Sequence, residues 1–213
     1  MILYRIFRCI TFPIRRMLLK IRLKDNESVL DEKLGRPTED RPKGGLIWVH
    51  CNDAAESGEV VRAIQSVMPG KAILLTYNVG PATAWGHAPG AIRQFAPIDN
   101  HLVVRNFIRF WEPSAAVYIG AELRPIQLAL LKKNDIPSFL VDGHIPDKSY
   151  RRWKWAKRLA RKTMRNFNFV WAVDNVQTLR LANLGACDVK SQELIPALTR
   201  MREIIYCIRQ QVE

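Results

Sequence analysis

Two hydrophobic periods alternate along this chain. Short apolar runs of the kind that fill a covered strand occur at Leu46–His50, Ala72–Thr76, Ile92–Phe95, Ala115–Ile119, Ser138–Val141 and Phe169–Val173. Between and after them, apolar residues recur at helical spacing over Gly58–Val67, His101–Trp111, Pro125–Asn134, Tyr150–Asn166 and Asn175–Leu184. Pro69-Gly70, Glu112-Pro113, Ile136-Pro137 and Gly185 punctuate the joins. A run such as Leu46-Ile47-Trp48-Val49, apolar at every position, suits a parallel strand buried on both faces. The β-α alternation predicts an α/β fold, a single Rossmann-like, doubly wound and mostly parallel sheet.

The flanks differ from this core. Residues 1–24 mix large apolar side chains with Arg5, Arg8, Arg15, Arg16, Lys20, Arg22 and Lys24, and hold no acid. Their helical spacing predicts a basic amphipathic helix kinked at Pro13, either a membrane-surface anchor or a helix packed on the domain itself; seven cations without an acid favour the anchor. Residues 25–45 are polar and rich in Gly and Pro, which predicts a linker. The Rossmann-like domain is expected over 46–190 and a C-terminal amphipathic helix over 191–213.

Charge sharpens the picture. The formal net charge is +13, which calls for a polyanionic partner: nucleic acid or an anionic lipid surface. Between Tyr150 and Phe167, Arg151, Lys154, Arg158, Arg161 and Arg165 form one stripe, with Arg152, Lys157 and Lys162 beside it and no acid among them. Like charges at helical spacing repel, so an anion should face this helix. No nucleic-acid recognition motif accompanies it, which leaves nucleic acid an unlikely partner. Cys9, Cys51, Cys187 and Cys207 are scattered and predict neither a disulfide framework nor a zinc site. No metal-ligand spacing, P-loop, dinucleotide fingerprint or nucleophile elbow is present, so neither a metal nor a resident cofactor is expected.

In open α/β sheets, ligands bind beyond the carboxyl ends of the strands. Three such turns carry chemistry here. After the first strand come His50, Asp53, Glu56 and Glu59. Asp53 and Glu56 also fit a capping-box arrangement, and Ser57 is a rival N-cap. Glu59 falls in the first helical turn, where the helix dipole favours a negative charge; there it is either a dipole-placed surface residue or a general base. The second turn holds Glu122 and Arg124, which pair with each other or face the same crevice. The third holds Asp142, His144 and Lys148, either substrate contacts or an ordinary turn and cap.

The motifs, taken together, resemble the N-terminal half of the lipid A Kdo transferases, the 3-deoxy-D-manno-octulosonic acid transferases. The resemblance lies in Trp48-Val49-His50 followed by Ser57-Gly58-Glu59-Val60, in Ala96-Pro97-Ile98-Asp99, in Val104-Arg105-Asn106-Phe107 with Trp111-Glu112-Pro113, in Ala121-Glu122-Leu123-Arg124-Pro125, in Ile136-Pro137 through Asp142-Gly143-His144-Ile145 and Ser149, and in Phe169-Val170-Trp171-Ala172 with Leu184-Gly185-Ala186. It implies a GT-B glycosyltransferase whose N-terminal half binds the acceptor, and which moves Kdo from CMP-Kdo to a lipid A precursor without a metal. It implies that Glu59 is the catalytic base, with Glu56 as a rival because the stretch before Gly58 is longer than in the family's pattern. It implies that His50, Glu122, Arg124, Asp142, His144 and Lys148 bind the acceptor. The chain departs from the pattern at Arg124, where the family has Trp, and at Asp142 and His144, where it has Asn and Arg. The expected partners are a lipid A precursor, an anionic membrane surface at the cytoplasmic face of the bacterial inner membrane, and a separate chain carrying the donor-binding Rossmann half. The alternative is a non-catalytic module that binds membrane or lipid A.

Overall fold

The apolar run at the start of the domain forms a central strand, β1 (Leu46–Asp53). The computed structural model describes residues 2–23, 26–53, 57–79, 89–120, 122–195 and 199–212. After β1 come α4 (Gly58–Val67), β2 (Ala72–Val79), β3 (Ile92–Phe95), α5 (His101–Trp111), β4 (Ala115–Ile119), α6 (Pro125–Lys133) and β5 (Ser138–Gly143). The chain continues through α7 (Asp147–Trp155), α8 (Lys157–Met164), β6 (Phe169–Ala172), α9 (Asn175–Asn183), β7 (Val189–Ser191) and α10 (Arg200–Arg209). Ahead of β1 lie α1 (Ile2–Ile10), α2 (Phe12–Arg22) and α3 (Glu27–Lys33). The strands form one seven-stranded sheet in the order β3-β2-β1-β4-β5-β6-β7, with every pairing parallel.

This order has a switch point. The chain leaves β1 toward β2 on one side and later builds β4 to β7 on the other. Right-handed crossovers running in opposite directions place their helices on opposite faces. Accordingly, Ile47, Val49 and Cys51 pack under α4 and α10, whereas Leu46 and Trp48 pack with α5, α6, α8 and α9. Trp48, Phe107, Trp111, Tyr118 and Phe139 are among the largest wholly buried side chains. Each contributes roughly 1.5–3 kcal/mol or more through the apolar area it removes from water.

Helix ends are capped as their sequences suggest. Asn100 caps α5 by accepting from Leu102 N and Val103 N, and Asp174 caps α9 by accepting from Gln177 N. The α6 start has Pro125 in its first turn and no local side-chain cap. Its free amides are met from a distance: Asp99 accepts from Gln127 N at 3.0 Å and from Ile126 N at 3.3 Å.

Four expectations are revised. The stretch 25–45, predicted as a linker, carries α3, whose buried Glu32 accepts from Phe95 N at 2.6 Å and from the Thr38 hydroxyl at 2.7 Å. That tertiary anchor on the sheet's edge strand stabilises a helix too short to signal itself by periodicity. The predicted Tyr150–Asn166 helix is broken at Ala156 into α7 and α8. α8 buries Ala160, Thr163 and Met164, whereas α7 buries none of its residues, so the break lets one segment enter the core while the other stays at the surface. The N-terminal helix is interrupted at Thr11, just ahead of Pro13 in the first turn of α2. Finally, β7 and a short 3-10 turn at Gln192–Leu194 precede α10, which starts later than the predicted C-terminal helix.

Candidate functional site

His50 ends the β1 run on the α5/α6 face and is only 1% exposed. Its register partner on β2 is Thr76, and this pairing sets up a relay. Trp48 Nε1 donates to Thr76 Oγ1 at 2.8 Å, and Thr76 Oγ1 lies 3.0 Å from His50 Nδ1. The indole nitrogen only donates, so the hydroxyl accepts there; because the ionised Glu122 can only accept from the opposite ring nitrogen, a neutral His50 has Nδ1 as the acceptor of the Thr76 hydroxyl. The other ring nitrogen, Nε2, then carries the proton and faces Glu122 Oε2 at 3.4 Å. Burial, and next the nearby Arg124 charge, push the His50 pKa down, which keeps the imidazole neutral.

Glu122 follows β4 and Gly120, whose φ of 81° turns the chain back over the sheet edge in the region glycine tolerates. Three groups donate to its carboxylate: His50, Asn78 Nδ2 and Arg124 Nη2, the last at 3.1 Å. Burial by itself would raise this carboxyl. The His50 hydrogen bond and the Arg124 charge outweigh it and hold the pKa at about 2. Arg124 is buried as well. It spans Pro97 O at 2.8 Å, Asn78 Oδ1 and Glu122, so the two charged residues of this turn do pair with each other.

Glu59 stands apart from this cluster. It lies exposed in the first turn of α4, on the other face of the sheet, behind buried Ser57 and Gly58. Its negative charge reaches Asp142. Asp142 sits at φ 51°, where β5 and β6 slip register between Leu140 and Gly143. A left-handed non-glycine residue at a sheet edge is strained and marks a place held by its surroundings. Burial raises the Asp142 carboxyl; Gln192 opposes that, and Glu59 adds to it. His144 donates from Nδ1 to the Asp142 carbonyl at 3.0 Å, which leaves Nε2 as an acceptor.

A cavity of about 380 Å³ opens beside Glu122 and His144, lined also by Asn52, Ser149, Arg152 and Trp153 among others; Glu59 and Asp142 are not in its lining. The expected residues thus divide. Glu122 and His144 share the cavity; His50 supports it from beneath. Arg124 turns away from it, and Lys148 is exposed on α7 outside its lining, with Arg152 occupying that side instead. Glu56, the rival base, lies outside the described residues. Asn52, Asn78, Asp99 and Arg152 were not singled out as site residues from sequence. Asp99 has a signal in the Pro97-Ile98-Asp99 motif and Arg152 in the basic helix; Asn52 and Asn78 have none.

Arg151, Lys154, Arg158, Arg161 and Arg165 are all exposed, as are Arg5, Arg15, Arg16 and Lys20. Trp155 stands 93% exposed among the first group. On α1 and α2, Leu3, Phe7, Ile10, Ile14, Met17 and Ile21 form an outward stripe, each between 61% and 82% exposed. Arg8 departs from the outward set: it is half-buried, with Nε donating to Asp99 O at 2.8 Å, while Tyr4 OH donates to Asp99 Oδ2 at 3.2 Å. Those two bonds fix which side of α1 faces the domain. Among the described residues no helix is long and apolar enough to cross a membrane, and no three His, Cys, Asp or Glu side chains gather as a metal cluster.

A parallel sheet in this order, with its polar groups at the β1/β4 switch point, defines a Rossmann-like domain of the GT-B type. A crystal structure of UDP-N-acetylglucosamine 2-epimerase shares the fold: the TM-score is 0.50 at 8% identity, over 68% of this chain and 47% of that one. The likeness is one of fold alone. Residues 28–193 match the glycosyltransferase N-terminal family described as 3-deoxy-D-manno-octulosonic-acid transferase (kdotransferase), and the chain belongs to that family. Among its relatives, the "Probable 3-deoxy-D-manno-octulosonic acid transferase, mitochondrial" of Arabidopsis thaliana is 30% identical over 162 residues, covering 70% of this chain and 36% of the relative. The 3-deoxy-D-manno-octulosonic acid transferase of Rickettsia prowazekii is 28% identical over 159 residues, covering 67% of this chain and 32% of the relative. The chain therefore spans about a third of the length of these relatives.

Proposed function

We propose that this chain is the acceptor-binding half of a Kdo-type glycosyltransferase, acting on a lipid A precursor at the cytoplasmic face of the inner membrane with CMP-Kdo as donor. The observation that carries the reading is the match of residues 28–193 to this family, with a polar cavity lined by Glu122 and His144 beyond the strands' carboxyl ends and Glu59 exposed in the first turn of α4. Glu59 takes the proton from an acceptor hydroxyl as its oxygen attacks the anomeric carbon of Kdo. The bond to CMP breaks and its electron pair leaves with the phosphate. Glu122, locked as an anion, and His144 Nε2 accept hydrogen bonds from the sugar; Asp142 shapes the edge beside Glu59. The donor is held by a second Rossmann half. No metal or resident cofactor takes part in this scheme. The outward apolar stripe of α1 and α2, with the cations of α7 and α8, holds the domain on anionic lipid.

The test is transfer of Kdo from CMP-Kdo to a lipid A precursor by the full chain together with a donor-binding half, in wild-type and Glu59→Gln forms. Turnover lost in Glu59→Gln with acceptor binding unchanged is the expected result; full activity in the variant removes Glu59 from the role. A second reading, binding without turnover, draws on the apolar stripe and cations, which serve adhesion without Glu59. Acceptor and liposome binding with no transfer under the same conditions selects it.

A further inference from the structure

On the far side of Glu122 from the crevice lies a second cavity, of about 280 Å³. Its lining includes Arg8, Arg15, Lys33, Asp99, Glu122 and Arg124, brought from α1, α2, the end of α3 and two strand-to-helix turns. The two acids are already engaged. Glu122 receives three donors, and Asp99 receives two α6 amides and the Tyr4 hydroxyl. The cations are not balanced to the same degree. Lys33 has no hydrogen-bond acceptor among the described residues; its ammonium rests over the Phe95 ring at 4.7 Å. Its half-buried position and the like charge of Arg124 disfavour its charged form, and Glu32 and Glu122 offset this only in part. Arg124, only 7% exposed, keeps a buried Nε with no hydrogen-bond partner. A cavity that collects like charges from four separate elements, and leaves donors on two of them unused, is arranged for an anion.

We propose that this cavity binds a phosphate group, as a phosphomonoester or as free phosphate. A planar carboxylate suits one flat, forked donor, whereas a tetrahedral dianion accepts from several directions at once, which is how these cations are disposed. The volume leaves room for the group that carries the phosphate. Because α1 closes one side of the cavity through Tyr4 and Arg8, binding there also ties the N-terminal helix pair to the domain. The site rests on charge and geometry in this chain alone and does not depend on the transferase reading.

The test uses the full chain with two probes: inorganic phosphate, and phosphatidylcholine vesicles with or without phosphatidic acid. Saturable phosphate binding, followed by calorimetry, is expected to weaken about tenfold or more in Lys33→Gln, as loss of a charged hydrogen bond implies. Arg8→Gln, on the exposed helix, should weaken it too, and serves if Lys33→Gln fails to fold. Arg202→Gln, exposed on α10 at the other face of the sheet, removes the same charge elsewhere and should leave it unchanged. Phosphatidic acid vesicles that compete with phosphate in a Lys33-dependent manner assign the site to a lipid phosphomonoester. Phosphate binding that such vesicles leave untouched assigns it to free phosphate. Equal weakening in all three variants, or no saturable binding of either probe by the wild type, overturns the proposal.

Discussion

Replacing Glu122 with Gln isolates the electrostatic centre of the switch point. In the wild type this carboxylate neutralises a buried guanidinium and accepts from His50 and Asn78. In the variant, Arg124 stays buried and loses its ion-pair partner. The drop in pKa from 4.5 to about 2 corresponds to roughly 3 kcal/mol at 1.36 kcal/mol per pH unit. The Glu122 side chain is 35% exposed, so solvent screening reduces this to about 1–2 kcal/mol. The sign follows from the depressed pKa. The contribution is complete above the unfolded value near 4.5, declines as pH falls, and is gone below about 2. Urea unfolding of both proteins across pH 2–7 should therefore show a stability gap that is flat above pH 4.5 and half lost by about pH 3.2. Equal stability at pH 7, or a gap that stays constant down to pH 2.5, refutes the assignment of Glu122 as the ionised partner.

Other outcomes follow from neighbouring features. Asp142→Asn removes a carboxyl that burial disfavours when charged, in a left-handed conformation that Asn tolerates; its unfolding midpoint should rise at pH 7 and match the wild type near pH 3, while acceptor binding falls. Glu32→Ala leaves the Phe95 amide without its acceptor and should cost about 1–3 kcal/mol in urea unfolding. Glu59→Gln, at an exposed position, should leave unfolding within about 0.5 kcal/mol of wild type, with turnover reduced about 10²–10⁴-fold. Phe7→Ser with Ile14→Ser should abolish liposome flotation and leave the near-UV spectrum of the domain unchanged.

How much of this was legible in the sequence depends on how local the cause is. β1 was readable because every residue from Leu46 to Val49 is buried against one face or the other, which leaves an unbroken apolar run. Glu122 and Asp142 stood out because charges directly after a strand seldom serve the core. Asn78 did not: its contact with Glu122 comes from β2 lying beside β1, a fact of sheet order rather than of spacing. α3 was hidden for a similar reason, since its stability comes from Glu32 reaching across to β3. The break at Ala156 also escaped, because the stripe from Trp153 to Phe167 keeps its phase across it. Arg8 illustrates the limit for charge patterns: its neighbours face outward, whereas it turns in toward a carbonyl that sequence does not place nearby.

Asp99 joins two parts of the molecule that are otherwise described separately. Its carboxylate stops the amide ends of α6, and the same residue fastens α1 through Tyr4 and Arg8. The 9 residues of α1 and 11 of α2, separated at Thr11, extend about 14 Å and about 17 Å at 1.5 Å per residue. In the proposed membrane-bound state, the attachment of α1 at Asp99 would set the height and tilt at which the sheet edge stands over the lipid headgroups. On that proposal, reach toward a lipid-borne acceptor would depend on the geometry of Asp99, a residue outside the lining of the crevice.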